Sequence, residues 1–258
     1  MNYKIYTLLN ELDLYDHLKI LKDRFFKNER EKINEQRRFN FYSKIVKIND
    51  LCFDVGANYG NRSEVFLKLG AKVIAFEPQP KPLKFLRRKF KNNITILDKA
   101  LGSHPGKSDL YISSASTLTS MSKEWIEKVK TNRFKQANWN NKIEVEMTTL
   151  DEMIIKYGKP DFCKIDVEGF EFEVLKGLTQ PIGIISFEFT IPEFVDKAIE
   201  CLNYLNNLGK IICNFSPGET LTFALEEWLN STDFIELFIT LPAKGIVDGD
   251  IYIKFLNN

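Results

Sequence analysis

From residue 51 onward the chain repeats one pattern: a short apolar run, a turn opening on an acid or a glycine, then apolar residues at helical spacing. Leu51 to Val55 ends in Gly56-Ala57-Asn58-Tyr59-Gly60 and leads into Ser63 to Leu69, closed by Gly70. Lys72 to Phe76 ends in Glu77-Pro78, Pro82 to Phe90 reads as the next helix, and Ile94 to Leu97 ends at Asp98. Phe162 to Val167 and Ile184 to Phe189 are the fourth and fifth runs, with a helix ending near Leu175 between them. Helices between successive strands make the strands parallel, and a parallel sheet is covered on both faces. The alternation therefore predicts an α/β fold with helices on both sides of a mainly parallel sheet.

Three segments flank or interrupt the pattern. Residues 1–48 lack Gly and Pro and place Leu14, Leu18, Leu21 and Phe25 at helical spacing, which predicts a helical prefix with a solvated face of alternating charge. Gly102 to Thr149 interrupts the alternation with strand candidates Asp109 to Ile112 and Ile143 to Thr148, a Ser/Thr tract Ser113 to Ser120, and an amphipathic stretch Lys123 to Asn132. This insertion is expected over the ends of the strands. The final third reads as a helix from Pro192 to Asn207, a strand Lys210 to Phe215, a helical Leu221 to Leu229 and a last strand Ile251 to Phe255. With no internal repeat, the expectation is one domain over 49–258 preceded by the prefix.

Composition removes several function classes. Lys plus Arg number 36 against 35 Asp plus Glu, so no global field draws in nucleic acid or an anionic membrane. The four cysteines lie far apart with no CxxC pair, which predicts small buried hydrophobes rather than a disulfide framework or zinc knuckle. Two histidines leave little room for a Ser-His-Asp triad or a three-His metal site. Met1 to Asp16 lacks the marks of a secretory signal, and no run approaches the roughly 18 apolar residues of a membrane span. A cytoplasmic protein is expected.

In a doubly wound sheet, ligands bind outside the carboxyl ends of the strands, where Asp54, Gly56, Gly60, Glu77, Asp98, Asp166, Glu168 and Glu188 fall. Gly56 and Gly60 bracket a turn whose backbone can approach an anionic group. Glu77 is placed either to accept hydrogen bonds from ribose hydroxyls or to cap the turn before Pro78, and Asp98 either to face an adenine or to cap its own turn. The turn lacks GxGxxG and the chain lacks GxxxxGK[ST], which disfavours nicotinamide-dependent oxidoreductase and P-loop readings.

The chain resembles the FkbM family of class I S-adenosylmethionine-dependent methyltransferases. The matching words are Phe53-Asp54-Val55-Gly56-Ala57-Asn58-Tyr59-Gly60, Phe76-Glu77-Pro78-Gln79-Pro80, Ala100-Leu101-Gly102, Ser116-Thr117-Leu118, Thr149-Leu150-Asp151, Lys164-Ile165-Asp166-Val167-Glu168-Gly169-Phe170-Glu171, Ser186-Phe187-Glu188-Phe189 and Gly249-Asp250-Ile251-Tyr252. The resemblance implies a three-layer Rossmann-like fold whose seven-stranded sheet ends in an antiparallel strand, here Ile251 to Phe255. It implies S-adenosylmethionine as cofactor, with Asp54, Gly56, Asn58 and Gly60 at its methionine end, Glu77 and Pro78 at the ribose, Asp98 at the adenine and Asp166 beside the methyl donor. The acceptor is expected to be a small molecule, sugar or glycan precursor.

The sulfonium already activates the methyl group, so alignment supplies most of the chemistry and a carboxylate takes the acceptor proton. Glu168 and Glu188 are the candidate bases, set against helix-dipole and backbone-binding roles. With Asp166 they offer three oxygen ligands, but no fourth stands out and no metal is expected. A catalytically silent cofactor-binding module is the other reading, and monomer and homodimer both stay open. Lys81, Lys84, Arg87, Arg88, Lys89 and Lys91 read as a solvated face, while Trp125, Phe134 and Trp139 serve either to stack on an acceptor or to cover the core.

Overall fold

The computed structural model describes residues 29–256; the periodic segment Leu14 to Phe25 lies outside them. In chain order the strands are β1 (Leu51–Val55), β2 (Lys72–Phe76), β3 (Thr95–Leu97), β4 (Ala100–Leu101), β5 (Gly106–Ile112), β6 (Asn141–Thr148), β7 (Phe162–Ile165), β8 (Ile184–Thr190), β9 (Ile211–Pro217), β10 (Leu229–Asn230) and β11 (Asp248–Phe255). The helices are α1 (Glu29–Tyr42), α2 (Asn61–Lys68), α3 (Pro80–Phe90), α4 (Lys123–Thr131), α5 (Leu150–Tyr157), α6 (Glu171–Lys176), α7 (Val195–Leu208) and α8 (Ser231–Phe238).

The main sheet has the order β10-β9-β11-β8-β7-β1-β2-β3. Strands β3, β2, β1, β7 and β8 pair in parallel, and β11 runs antiparallel between β8 and β9. This is the expected seven-stranded sheet with a reversed last strand, to which the structure adds the two-residue edge strand β10. From β1 the chain steps outward to β2 and β3, then returns to β7 on the other side of β1. That reversal opens a crevice at the carboxyl ends of β1 and β7. The insertion builds a second sheet, β4-β6-β5, and its Ser116–Leu118 turn lies over the crevice.

Side-chain alternation along each strand divides the core between the two faces. Phe53 and Val55 of β1 join one cluster with Leu150, Val174, Leu202 and Phe234, while Cys52 joins another with Phe41, Tyr42, Val65 and Leu86. On the face of Cys52 the sheet also carries a polar row, Asp54 in register with Lys164 and Lys164 with Ser186. All four cysteines are buried and unpaired, as small core hydrophobes.

Three elements differ from expectation. Leu221 to Leu229 is not a helix, because it is stitched to β9: Ala224 N donates to Phe215 O (2.8 Å), and the Asn214 side chain bonds both Leu225 O (2.9 Å) and Leu225 N (3.2 Å). The helix comes later, in α8, where the Asn230 side chain caps Asp233 N at 3.0 Å. Helix α5 begins at Thr149, whose hydroxyl accepts from Glu152 N at 3.1 Å. Thr149-Leu150-Asp151-Glu152 has the sequence of a capping box, but only the Thr149 half of it forms, since the Glu152 carboxylate accepts from the Thr148 hydroxyl instead.

Helix α1 is bound into this core by Phe41, which is 1% exposed and lies 5.0 to 5.4 Å from the rings of Tyr42, Phe223 and Tyr252. Phe41→Ala should lower the free energy of urea unfolding by about 3–5 kcal/mol. A loss below about 1 kcal/mol would show that α1 contributes little to the folded domain.

Candidate active site

The crevice is a cleft walled by the turns after β1, β2 and β7 and by the insertion. The first wall is a tight turn in which Gly56 N and Ala57 N both donate to Phe76 O at 3.0 Å. Gly56 has φ +81°, and a Cβ there would sit 1.9 Å from Asp166 O, so only glycine lets β1 and β7 come this close. Asn58, with φ +48°, donates its N–H to Glu77 Oε2 at 2.7 Å, and its side-chain oxygen accepts from Ser116 Oγ at 3.2 Å.

Glu77, at the end of β2, is 1% exposed and lines the cleft. Its second oxygen accepts from Gln79 N at 2.7 Å. Burial pushes its pKa up to about 7, with the two backbone donors acting in the opposite direction. Each carboxylate oxygen keeps a lone pair after its backbone bond, so the group can accept from two adjacent hydroxyls.

The third wall follows β7. Lys164 is 1% exposed, and its ammonium donates to Asp166 Oδ2 at 3.0 Å and to Asp250 Oδ1 at 3.1 Å. Burial pushes the Asp166 carboxyl up, but the Lys164 charge and hydrogen bond outweigh it and hold the pKa below the usual carboxylate range. The loop then turns on Glu171, whose Oε1 accepts from Val167 N at 3.2 Å and Gly169 N at 3.1 Å. Burial lifts Glu171 to about 7. Within this loop Glu168 has φ +55°, and its backbone carbonyl accepts from Ser120 Oγ of the insertion at 2.6 Å.

Asp166, Glu168 and Glu188 bring carboxylate oxygens within 4.8 Å of one another. Burial, then mutual repulsion among these acids, pushes Glu168 and Glu188 well above the ordinary carboxylate range. Glu168 and Asp166 line the cleft, whereas Glu188 lines two cavities beyond it. The acids therefore stand between the cleft and the space on its far side.

Of the other residues expected at the cofactor, Gly56, Asn58, Glu77 and Pro78 line the cleft. Asp54, Gly60 and Asp98 do not, and each has another role in the structure. Asp54 is buried under the turn and accepts from Ser63 Oγ of α2. Gly60, with φ +75°, lets the turn pack on α3, since a Cβ would meet Phe90 and Leu86 at 2.5 and 2.6 Å. Asp98 is 62% exposed and paired with Arg87 at 3.3 Å. The cleft is lined there instead by Lys99, Ala100, Leu101 and Leu110. Trp125, Phe134 and Trp139 cluster with Val129 and Phe194, so they cover core; Trp125 also borders one cavity beyond Glu188. Lys164 and Glu171 went unassigned in the sequence. The available signals were a lysine inside the apolar run Phe162 to Ile165 and a glutamate two residues after a turn glycine.

The glycine turn, the buried ribose-type carboxylate and the apolar wall fit a nucleoside attached to an amino acid. With the strand reversal, they define a class I methyltransferase. The chain belongs to the FkbM methyltransferase domain family, whose model matches residues 54–212, and its cofactor is S-adenosylmethionine.

Similar solved structures include a TehB-like S-adenosylmethionine-dependent methyltransferase from Corynebacterium glutamicum, at 9% identity, covering 85% of this chain and 88% of that one with TM-score 0.47. Precorrin-6y C5,15-methyltransferase from Geobacter metallireducens is 14% identical, covering 84% and 87% with TM-score 0.43. An S-adenosylmethionine-dependent O-methyltransferase from Thermotoga maritima is 11% identical, covering 87% and 66% with TM-score 0.41. No curated protein matches the sequence.

Glu77 and Glu171 bind more protons in the folded than in the unfolded state between about pH 4.5 and pH 7. Their stabilising effect is complete below the unfolded pKa and is lost as pH rises through the folded one. Free of cofactor, the protein should therefore show a melting temperature that falls across this window. A melting temperature that rises steadily from pH 4.5 to 7 would contradict the assigned direction.

Proposed function

We propose that the chain transfers the methyl group of S-adenosylmethionine to an oxygen of a sugar, glycan precursor or other small metabolite in the cytoplasm. The observation that carries this reading is the convergence of Asp166, Glu168 and Glu188 between the cofactor cleft and the cavities beyond it. When bound, the cofactor supplies an electrophilic methyl carbon on a sulfonium, and the carbon–sulfur bond breaks with its electron pair going to sulfur as the oxygen–carbon bond forms.

The chain's own residues do the rest. Glu77 holds the ribose, and the Gly56 to Asn58 turn receives the methionine end. Asp166, kept ionised by Lys164, faces the positive charge of the cofactor. Glu188 takes the acceptor's hydroxyl proton, with Glu168 beside it sharing the remaining proton. Burial and the neighbouring acids raise both above the ordinary carboxylate range, so each is a stronger base than a solvated glutamate.

S-adenosylhomocysteine at about 100 times its dissociation constant should stabilise the protein by roughly 2.7 kcal/mol, read as a rise in melting temperature, and NAD should leave it unchanged. Glu77→Ala should weaken S-adenosylhomocysteine binding at least about tenfold in titration calorimetry, because it removes charge-assisted hydrogen bonds. Glu188→Gln should bind S-adenosylhomocysteine as the wild type does and lose about 10²–10⁴ in kcat. Normal turnover by Glu188→Gln would remove Glu188 from the chemistry.

The pH dependence has a defined sign. A base must be deprotonated, so kcat should rise with pH, with an apparent pKa above that of an ordinary glutamate. An acid limb at or below about pH 4.5 would place the base elsewhere.

A further inference from the structure

Beside the three acids, next to the cleft, lies a second, half-open polar chamber. Asp166 lines both it and the cleft, and Glu188 stands in its wall. Its floor is the buried pair Lys164 and Asp250. One side is Arg62, which bonds both oxygens of Glu219 at 2.8 and 2.9 Å and keeps a buried Nε without a hydrogen-bond partner. Asp248, tied to Arg133 at 3.3 Å, Gly218 and Gly249 complete the lining. No apolar side chain lines it.

We propose that this chamber is the acceptor subsite and that it takes an uncharged, polyhydroxylated ring while excluding a phosphorylated one. This deepens the methyl-transfer reading and rests on it. An apolar ring would gain nothing here, because burial against charged groups removes their water without replacing it. An anionic ring would face Asp166, Glu219, Asp248 and Asp250, while the two cations of the lining are already paired with carboxylates. Like charges placed across an interface cost several kcal/mol and suppress wrong partners. A neutral polyol differs from both, since each hydroxyl donates to a carboxylate and accepts from Arg62 Nε or an ammonium without burying net charge. The same argument turns away the phosphate backbone of nucleic acid.

A second cavity touching Glu188 is an aromatic slot that includes Trp125, Phe172, Phe187 and Phe194. It shares no lining residue with the cofactor cleft, so an acceptor there does not meet the cofactor directly. It supplies the competing outcome of the test.

The full chain is assayed for methyl transfer from radiolabelled S-adenosylmethionine to methyl hexosides and 6-deoxyhexosides, the corresponding hexose phosphates, catechol, and a single-stranded RNA oligonucleotide. Unphosphorylated sugars should exceed their phosphates at least about tenfold in kcat/KM, equivalent to about 1.4 kcal/mol. Glu219→Lys, a change at a residue 74% exposed, should narrow that ratio about tenfold with S-adenosylhomocysteine affinity unchanged. Preference for phosphates, RNA or catechol, methylation of no member, or an unchanged ratio in Glu219→Lys overturns the proposal. The methyl-transfer reading is checked separately by the wild-type thermal shift with S-adenosylhomocysteine: a shift with a failed panel removes only the chamber, and no shift removes the reading beneath it.

Discussion

The ammonium of Lys164 is the interaction on which the site depends. It lies inside the sheet, 1% exposed, between an acid two residues on, just past the end of β7, and another on β11, 86 residues away. Burying a charge is costly, and such an arrangement persists only where partners meet it in good geometry. Removing one partner of a buried pair strands the other, typically at about 3–5 kcal/mol. Asp166 is therefore bound into the sheet as much as into the site. Its position under the cofactor cleft follows from the register that places Lys164 beside Asp54 on one side and Ser186 on the other.

That fixed charge also decides where the protons go. Asp166 stays ionised because Lys164 favours its charged form more than burial opposes it. Glu168 and Glu188 lie within the same few ångströms, and among the described residues neither forms an ion pair. Three neighbouring carboxyls cannot all ionise, so the proton is driven onto the two glutamates. Three acids of similar intrinsic strength thus acquire different proton affinities from their surroundings: Asp166 is held as an anion, while Glu168 and Glu188 keep their protons more tightly. Their titration belongs to the group rather than to any one of them.

Much of the fold could be read from the chain because strands buried on both faces are written as continuous apolar runs, and the helices between them fix their direction. The runs starting at Leu51, Lys72, Phe162 and Ile184 became strands beginning at those residues. The miss at Leu221 to Leu229 arose because apolar spacing cannot report that Asn214, in a neighbouring strand, takes up the segment's backbone groups. The site was less legible. Glu77 follows its strand facing the cleft, but the pairing of β3 with β2 stops at Leu97, and Asp98 beyond it turns to solvent and Arg87. Asp54 and Gly60 shape the glycine turn without lining the cleft, a distinction that spacing does not carry. Lys164 reads as an irregularity in an apolar strand until the fold supplies both of its carboxylates.

The last strand makes the site a property of the whole fold. Gly249 has φ +149°, and a Cβ there would lie 2.2 Å from Ser216 O, so the chain can pass close to β9 only as glycine before reaching Asp250. Asp250 then pairs in register with Glu188 on β8 and Ser216 on β9 while its carboxylate closes on Lys164. Strand β11 therefore fills the gap between β8 and β9, supplies the second partner of the buried lysine and forms part of the chamber floor. Without it, Lys164 loses an acid, the edge of β8 is unpaired, and Glu188 loses the strand that fixes its backbone. The glycine-rich turn that walls the cleft follows the first strand of the sheet, but the charge state of the acids across the cleft is completed only when the final strand is in place.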